Sequence, residues 1–491
     1  MNFKLRNLVA NALVGSALFG FGVNASADST TDIVNALVSK GVLTEEEGAL
    51  LTKGRTSEVE TQKKKEGKAW TSHIKLNGYV QNRVTDMVSG DDGAVLWPDP
   101  SVGDETSGDG RGQNFRIRRA RIIFSGQVGD HLGFYIQPDF ASSAGTGQSN
   151  NVAQLRDAYG DIFIDKDKVH RFRVGQSKVP YGYENLQSSS NRLALDRVDA
   201  LNSAVRDERD TGVFYYYTPT KVQELFKEIA DKNLKHTGNY GMFGAGMYMG
   251  QGANQNDLND NYHSVARFTY PWKTDSGQIY EAGIQAYKGK FVRSAGSYNK
   301  LNTATNASLS TTPTIDAKYR KNDGATGEFD DERVAVSFRM YPQPWGLEGE
   351  WTWGTSPGLD VNDGAITGVG AAARRVGKIK NGSLHGGYVQ GSYFANDVSL
   401  FNKNIGNLNP FIKWQYYDGF NKAETNAPAN HVNDWEYGVE WQIAPEVELA
   451  AVYHHMKRTN MTTSGQFNTD NGSYKTFNAE ALRVQLQYNF F

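Results

Sequence analysis

From His73 to the last residues, the chain alternates apolar and polar side chains with a period of two, and this limits the possible fold more than any other feature. In HIKLNGYVQNRVT, Ile74, Leu76, Gly78 and Val80 fall on one side, and Lys75, Asn77, Tyr79 and Gln81 on the other. Successive side chains of a strand point to opposite faces, so such a stretch reads as a strand with one apolar and one polar face. Fifteen more stretches follow, at 114–125, 131–140, 154–165, 169–178, 211–218, 239–250, 261–271, 278–288, 332–341, 346–355, 381–394, 408–418, 433–444, 446–457 and 477–490. Short links (Gly129-Asp130, Asp165–Lys168, Tyr341–Trp345, Ala444-Pro445) alternate with long ones (85–113, 141–153, 179–210, 289–331, 355–380, 419–432, 458–476). An even number of strands joined in this way predicts an all-β, transmembrane antiparallel barrel of about 16 strands, with short links in the periplasm and long ones outside. Two links break the rule: 219–237 reads as a short helix where a tight turn belongs, and 395–407 is long for its side.

The two faces of the strands suit lipid and water. Trp435, Tyr437, Val439, Trp441 and Ile443 share a side opposite Glu436, Gly438, Glu440 and Gln442. Trp70, Trp272, Trp345, Trp351 and Trp353 lie near strand ends, as interfacial girdles require. No uninterrupted apolar run of helical-span length follows the leader, so strands must do the crossing, in a closed sheet where every backbone group finds a partner. The leader itself has Lys4 and Arg6, an apolar stretch from Leu8 to Val23, and Ala25-Ser26-Ala27 as a small-x-small site. This predicts a signal peptide over 1–27 and a mature start at Asp28. Residues 28–69 form a helical arm and charged linker in this reading, with Thr44 and Glu47 as a capping box, serving as an oligomerising or wall-facing element or as a spacer. Residues 70–491 are then the barrel.

Composition removes other classes. The 491 residues carry 52 Lys plus Arg against 54 Asp plus Glu, a net charge of −2, which gives no global attraction to nucleic acid. With no cysteine there is no disulfide, thiolate metal site or cysteine nucleophile. The chain contains no G-x-S-x-G, H-E-x-x-H or P-loop pattern, and the adjacent His454 and His455 point to opposite faces of a strand. The acidic run at 90–93, with Asp99 and Asp104, lacks calcium-loop spacing. The expectation is a non-enzymatic protein without cofactor or metal.

Several segments carry a resemblance: NFRIRRARIIFSGQVGDHLGFYIQPDF (114–140), QLRDAYGDIFID (154–165), HRFRVGQSKVPYGYENLQSSS (170–190), DERDTGVFYYY (207–217) and the terminal RVQLQYNF. In this order they resemble the phosphate-selective porin O/P family of outer-membrane porins. The resemblance implies a sixteen-stranded trimeric barrel whose arginines and lysines select phosphate or polyphosphate. It carries over to Arg116, Arg118, Arg121, Arg173 and Lys178 as pore-lining, anion-binding residues. Arg119, in the same block, is read as facing lipid or the barrel rim.

Strand phase adds Lys75 to the lumen-facing cations, with Arg83, Arg171, Arg267, Arg333, Arg339, Lys413 and Arg483. The link 179–210, carrying Arg192, Arg197, Arg206 and Arg209, is the candidate constriction. Glu281, Glu348, Glu350, Glu436, Glu440 and Glu448 take the inward phase later in the circuit, so acidic and basic walls oppose each other across the lumen. Charge alone predicts a weak anion preference, which the resemblance strengthens. The expected partners are a homotrimer, outer-membrane lipid and lipopolysaccharide, the barrel-assembly machinery that reads the amphipathic, aromatic-ended last strand, and small anions such as phosphate, with no nucleic acid. A non-selective diffusion porin and a structural or adhesive barrel remain the alternatives.

Overall fold

The computed structural model describes residues 74–91, 113–143, 151–302, 307–364, 366–367, 374–461 and 474–490, together with Val38, Thr44, Ala94 and Leu96. Apart from Val38 and Thr44, the leader and the helical arm lie outside the described residues. The chain divides into residues 1–73 and 74–491, and the second unit holds the sheet.

Sixteen long strands follow in order: β1 Ile74–Gly90, β2 Gln113–Val128, β3 Leu132–Ser143, β4 Asn151–Phe163, β5 His170–Lys178, β6 Arg209–Tyr217, β7 Phe243–Tyr248, β8 His263–Lys273, β9 Ile279–Ser294, β10 Thr326–Met340, β11 Trp345–Asp360, β12 Lys378–Tyr393, β13 Asn407–Phe420, β14 Ala429–Ala444, β15 Val447–Met461 and β16 Tyr474–Phe490. Each pairs antiparallel with the next, and β16 returns to β1 in the register Gly78↔Phe490 to Gly90↔Ala479, closing the sheet. A two-residue strand, Thr314–Ile315, adds in parallel at the start of β12. All sixteen predicted strands are present. Several run further at their outer ends than the period-two pattern indicated, such as β9 to Ser294 and β11 to Asp360. Beyond the bilayer both faces of a strand meet water or loops, so the ladder continues after the apolar phase has gone.

The closing seam is bonded on both faces. Inside, Gln81 Nε2 donates to Gln487 Oε1 (2.6 Å) and Arg83 Nη2 to Gln485 Oε1 (2.8 Å). Outside, Asn82 Nδ2 donates to Tyr488 Oη (3.1 Å). Phe490 lays its ring over Gly78, where an added Cβ would come within 2.4 Å of the ring. The penultimate aromatic therefore covers the glycine at the seam, which a larger residue would force open.

The lipid face is uneven. The outward positions of β8–β14 carry Trp272, Trp345, Trp351, Trp353, Trp414, Trp435 and Trp441, several in ring contact with one another. Among the described residues, the outward positions of β1–β5 carry no Trp or Tyr, only aliphatics, Phe, small residues and the polar Asn82, Asp86, His170 and Gln176.

The inside is polar and filled by two links. The link between β5 and β6 folds into the lumen with short helices α1 (Tyr183–Leu186) and α2 (Asp199–Asn202) and a 3₁₀ turn at Arg206–Glu208. The link between β6 and β7 contains α3 (Thr220–Asp231), the predicted helix in place of a tight turn.

Candidate functional site

Two β-bulges concentrate arginine on one wall. In β2, Gln81 pairs with Arg119 and Asn82 with Ile117, so Arg118 is an extra residue without a partner on β1. The extra residue resets the alternation. Phe115 and Ile117 face outward before it, and Ile122 and Phe124 keep the outward phase after it, while Arg116, Arg118, Arg119 and Arg121 all turn inward. Arg119 thus departs from the sequence reading. It is 5% exposed and donates to Gln81 Oε1 (2.8 Å) inside the barrel, because the bulge shifts the phase by one residue. β4 repeats the device. Gln137 pairs with Asp157 and Pro138 with Leu155, and the unpaired Arg156 faces inward beside Asp157.

The inward-folded loop opposes this wall and is anchored to much of the barrel. Lys413 Nζ reaches Glu184 Oε1 (2.5 Å), and Arg458 Nη2 reaches Asp199 Oδ2 (2.9 Å). Glu350 of β11 accepts the backbone N–H groups of Tyr183 (2.7 Å) and Glu184 (3.1 Å) at the start of α1. Arg333 Nη1 donates to Ala200 O (3.0 Å) and to the Ser203 hydroxyl (2.9 Å). Asp196 gathers Arg83 (2.9 Å), Arg118 (3.7 Å) and Arg483.

Between loop and wall lies a cavity of about 390 Å³. It is lined by Arg116, Arg118, Arg119, Arg121, Arg156, Arg192, Arg197 and Arg206, eight arginines against the five carboxylates Asp139, Asp196, Asp207, Glu208 and Glu424. Most of the buried guanidiniums are paired: Arg121 with Asp139 (2.7 Å), Arg156 with Asp207 (3.2 Å) and Arg197 with Glu208 (2.6 Å). Burial opposes ionisation of Glu208, but Arg197, Arg209 and Arg156 around it more than offset this and hold the carboxyl below its ordinary value. Arg119 and Arg192 differ. Neither has a carboxylate within ion-pair distance among the described residues, and Arg119 Nε and Arg192 Nε and Nη1 are buried without a protein acceptor. Arg118, Arg121 and Arg192 crowd Arg119 with like charge.

The other expected site residues have different places. Lys75 is exposed near the start of β1, away from the cavity lining. Arg173 lies below the cavity, paired twice to Asp161 (2.8 and 2.9 Å), its guanidinium 3.7 Å from the Tyr159 ring centre. Lys178 donates to Leu186 O (2.9 Å) and Gln187 O (2.6 Å), which pins the loop's first turn. Arg209 holds Asp157 (2.8 Å) and Glu208 (2.8 Å). Arg192, Arg197 and Arg206 line the cavity. Arg119 and Arg156 were missed as cavity residues. The one available signal was that RIRRAR and RD place charges on adjacent positions, which a regular strand cannot keep out of lipid without a bulge.

Residues 93–490 match the family described as phosphate-selective porin O and P. The chain belongs to this family. The porin is therefore an outer-membrane channel protein, and its fold class is the one the strand pattern required. Among solved structures it is similar to the outer membrane channel DcaP of Acinetobacter baumannii (16% identity, 85% of this chain and 97% of that chain covered, TM-score 0.43). It is similar also to the trimer form of OmpT from Vibrio cholerae (11%, 85% and 99%, TM-score 0.41) and to an anion-selective porin from Comamonas acidovorans (10%, 85% and 99%, TM-score 0.42). No curated protein sequence matches this porin.

Proposed function

We propose that this porin passes small hydrophilic solutes by passive diffusion with a preference for anions, phosphate or polyphosphate among them. The observation that carries this reading is the pair Arg119 and Arg192, buried against the cavity with guanidinium N–H groups that no acceptor among the described residues satisfies. Buried donors and charges are costly unless paired. A passing oxyanion supplies the missing acceptors, and arginine's planar fork suits it. Arg118, Arg121, Arg156 and Arg197 beside them are each paired with a carboxylate, so the attraction is strong enough to admit an anion and weak enough to release it. Arg116, Arg118 and Arg121 contribute to the same field from β2, and Arg206 from the mouth. Arg173, Lys178, Lys75 and Arg209 are assigned supporting roles, in holding the wall and loop or in the wider field.

The test is the reversal potential of the porin in planar bilayers under a potassium chloride gradient, then with phosphate replacing chloride. A chloride-side potential, reduced in Arg119→Gln/Arg192→Gln, is expected. A potassium-side potential in the unmodified protein would overturn the reading in favour of a general diffusion pore.

The same proposal includes a homotrimer in lipid and lipopolysaccharide, delivered by the barrel-assembly machinery after removal of residues 1–27, with 28–69 in the periplasm. The bare arc β1–β5 supports it, since an outer wall without an interfacial Trp or Tyr girdle suits contact with another barrel better than contact with headgroups. Light scattering in detergent, with the detergent mass subtracted, should give three chains per particle.

A further inference from the structure

The link between β6 and β7 reaches much further than a turn. Helix α3 stays at the periplasmic end, where Lys273 Nζ bonds Glu228 Oε1 (2.7 Å) and Ile229 packs with Leu234, Ile279 and Tyr341. The chain then turns at Asn233, whose φ is 56°, and enters the lumen. Strands β6 and β7 stand eight places from β14 and β15 in the ring of sixteen, on opposite walls. Even so, Lys235 Nζ lies 2.8 Å from Glu440 Oε2 on β14 and 3.7 Å from Glu448 Oε2 on β15. Asn233 Nδ2 donates to Gln442 Oε1 (2.7 Å). The link therefore spans the lumen beneath the outer loop and touches it, with Asn191 Nδ2 donating to His236 O (2.9 Å).

A gap of about 10 Å³, lined by Ser189, Arg192, Leu195, Glu440 and Glu448 among others, lies under the loop. That is about the volume one water needs. Arg192 and Ser189 line both this gap and the larger cavity, so the two carboxylates stand next to the arginine-lined cavity. Burial opposes the charge on Lys235, but Glu440 and Glu448 more than offset it and hold the ammonium above its usual value.

We propose that Lys235 is a specificity-determining residue: its ammonium, carried across the lumen by the β6–β7 link, stands between Glu440 and Glu448, offsets one of their two charges and so keeps the periplasmic half of the path more passable to anions. This rests on the anion reading above. Two variants of the full mature chain, in planar bilayers under a potassium chloride gradient, test it. Lys235→Gln bares the two carboxylates and should lower the chloride-to-potassium permeability ratio by roughly 25-fold, about fivefold against chloride and about fivefold in favour of potassium, each the effect of a unit charge about 4 Å from a passing ion in a watery path. Glu440→Gln/Glu448→Gln bares the ammonium and should raise that ratio, and Lys235→Arg should preserve it. If Lys235 only staples the link, both changes free the same segment and move the ratio in the same direction or not at all, which would overturn the proposal. Should Lys235→Gln fail to assemble, the double glutamine variant decides alone, a ratio unchanged or lowered counting against the proposal. The sign of the unmodified protein's reversal potential tests the anion reading separately, because the opposed shifts are measured relative to it.

Discussion

The wall formed by β2 and β4 and the wall formed by β11–β15 both turn charged side chains into the lumen, but they use them differently. On the far wall most inward carboxylates are occupied. Glu350 takes two backbone N–H groups of the loop, Glu348 takes Arg339 (2.7 Å), Glu440 takes Lys235, and Asp434 takes Arg458 (2.5 Å). Glu436 is an exception, with one carboxylate oxygen buried and without a hydrogen-bond donor. On the near wall two bulges each turn two adjacent charge-bearing positions inward, Arg118 with Arg119 and Arg156 with Asp157, where a regular strand allows one, and Arg119 is left over with Arg192 facing it from the loop. Opposed charge on two walls therefore does not give equal and opposite fields. What acts on a solute is the charge remaining after the loops have been anchored, and in the cavity eight arginines face five carboxylates.

The contrast can be broken by experiment. The largest effect is expected from Arg119→Glu/Arg192→Glu, which places two carboxylates where the uncompensated cations were and should invert the sign of the reversal potential. An unchanged sign would mean that the selective charge lies elsewhere.

Two deletions test the bulge. Removing Arg118 leaves Ile117 and Arg119 in ordinary alternation, so the barrel should assemble and remain resistant to heat in detergent, with a modest loss of anion preference. Removing Ile117 instead sends an arginine to the lipid face, at a cost of roughly 2–4 kcal/mol near the bilayer midplane and less toward the rim. Equal stability of the two deletions in urea titration would show that the bulge does not set the phase.

Glu350→Ala tests the far wall. It leaves two buried backbone N–H groups at the start of α1 without acceptors, costing about 1–3 kcal/mol each. Single-channel current should become larger and noisier while the barrel stays folded. A quiet, unchanged current would show that the loop's other anchors suffice. The smallest effect belongs to Arg116→Gln. This half-buried residue lies where solvent and salt screen its charge, and the permeability ratio should change by about twofold or less.

Much of the barrel was legible in the chain because alternation is a local property. Each strand's outward row, such as Leu482, Val484, Leu486, Tyr488 and Phe490, records which side faces out of the barrel. The inward position of Arg83, Arg171, Arg333 and Arg483 followed directly, and all are buried. Part of the site was legible too: Arg116, Arg118, Arg121, Arg192, Arg197 and Arg206 line one cavity. Arg173 and Lys178 both reach into the barrel, where one holds Asp161 and the other the loop's carbonyls, and facing inward does not tell whether a cation meets solute or holds a neighbour.

The sequence by itself determined the strands, their faces and the even count that lets the sheet close, since these depend on side chains two residues apart. Only the tertiary structure decided that Arg119 turns inward, that the β5–β6 link enters the lumen, and that Lys235 reaches the opposite wall. Those outcomes depend on partners far away in the chain, as Arg483 is from Asp196 and Glu440 from Lys235, and no local period encodes which distant residue neutralises which charge.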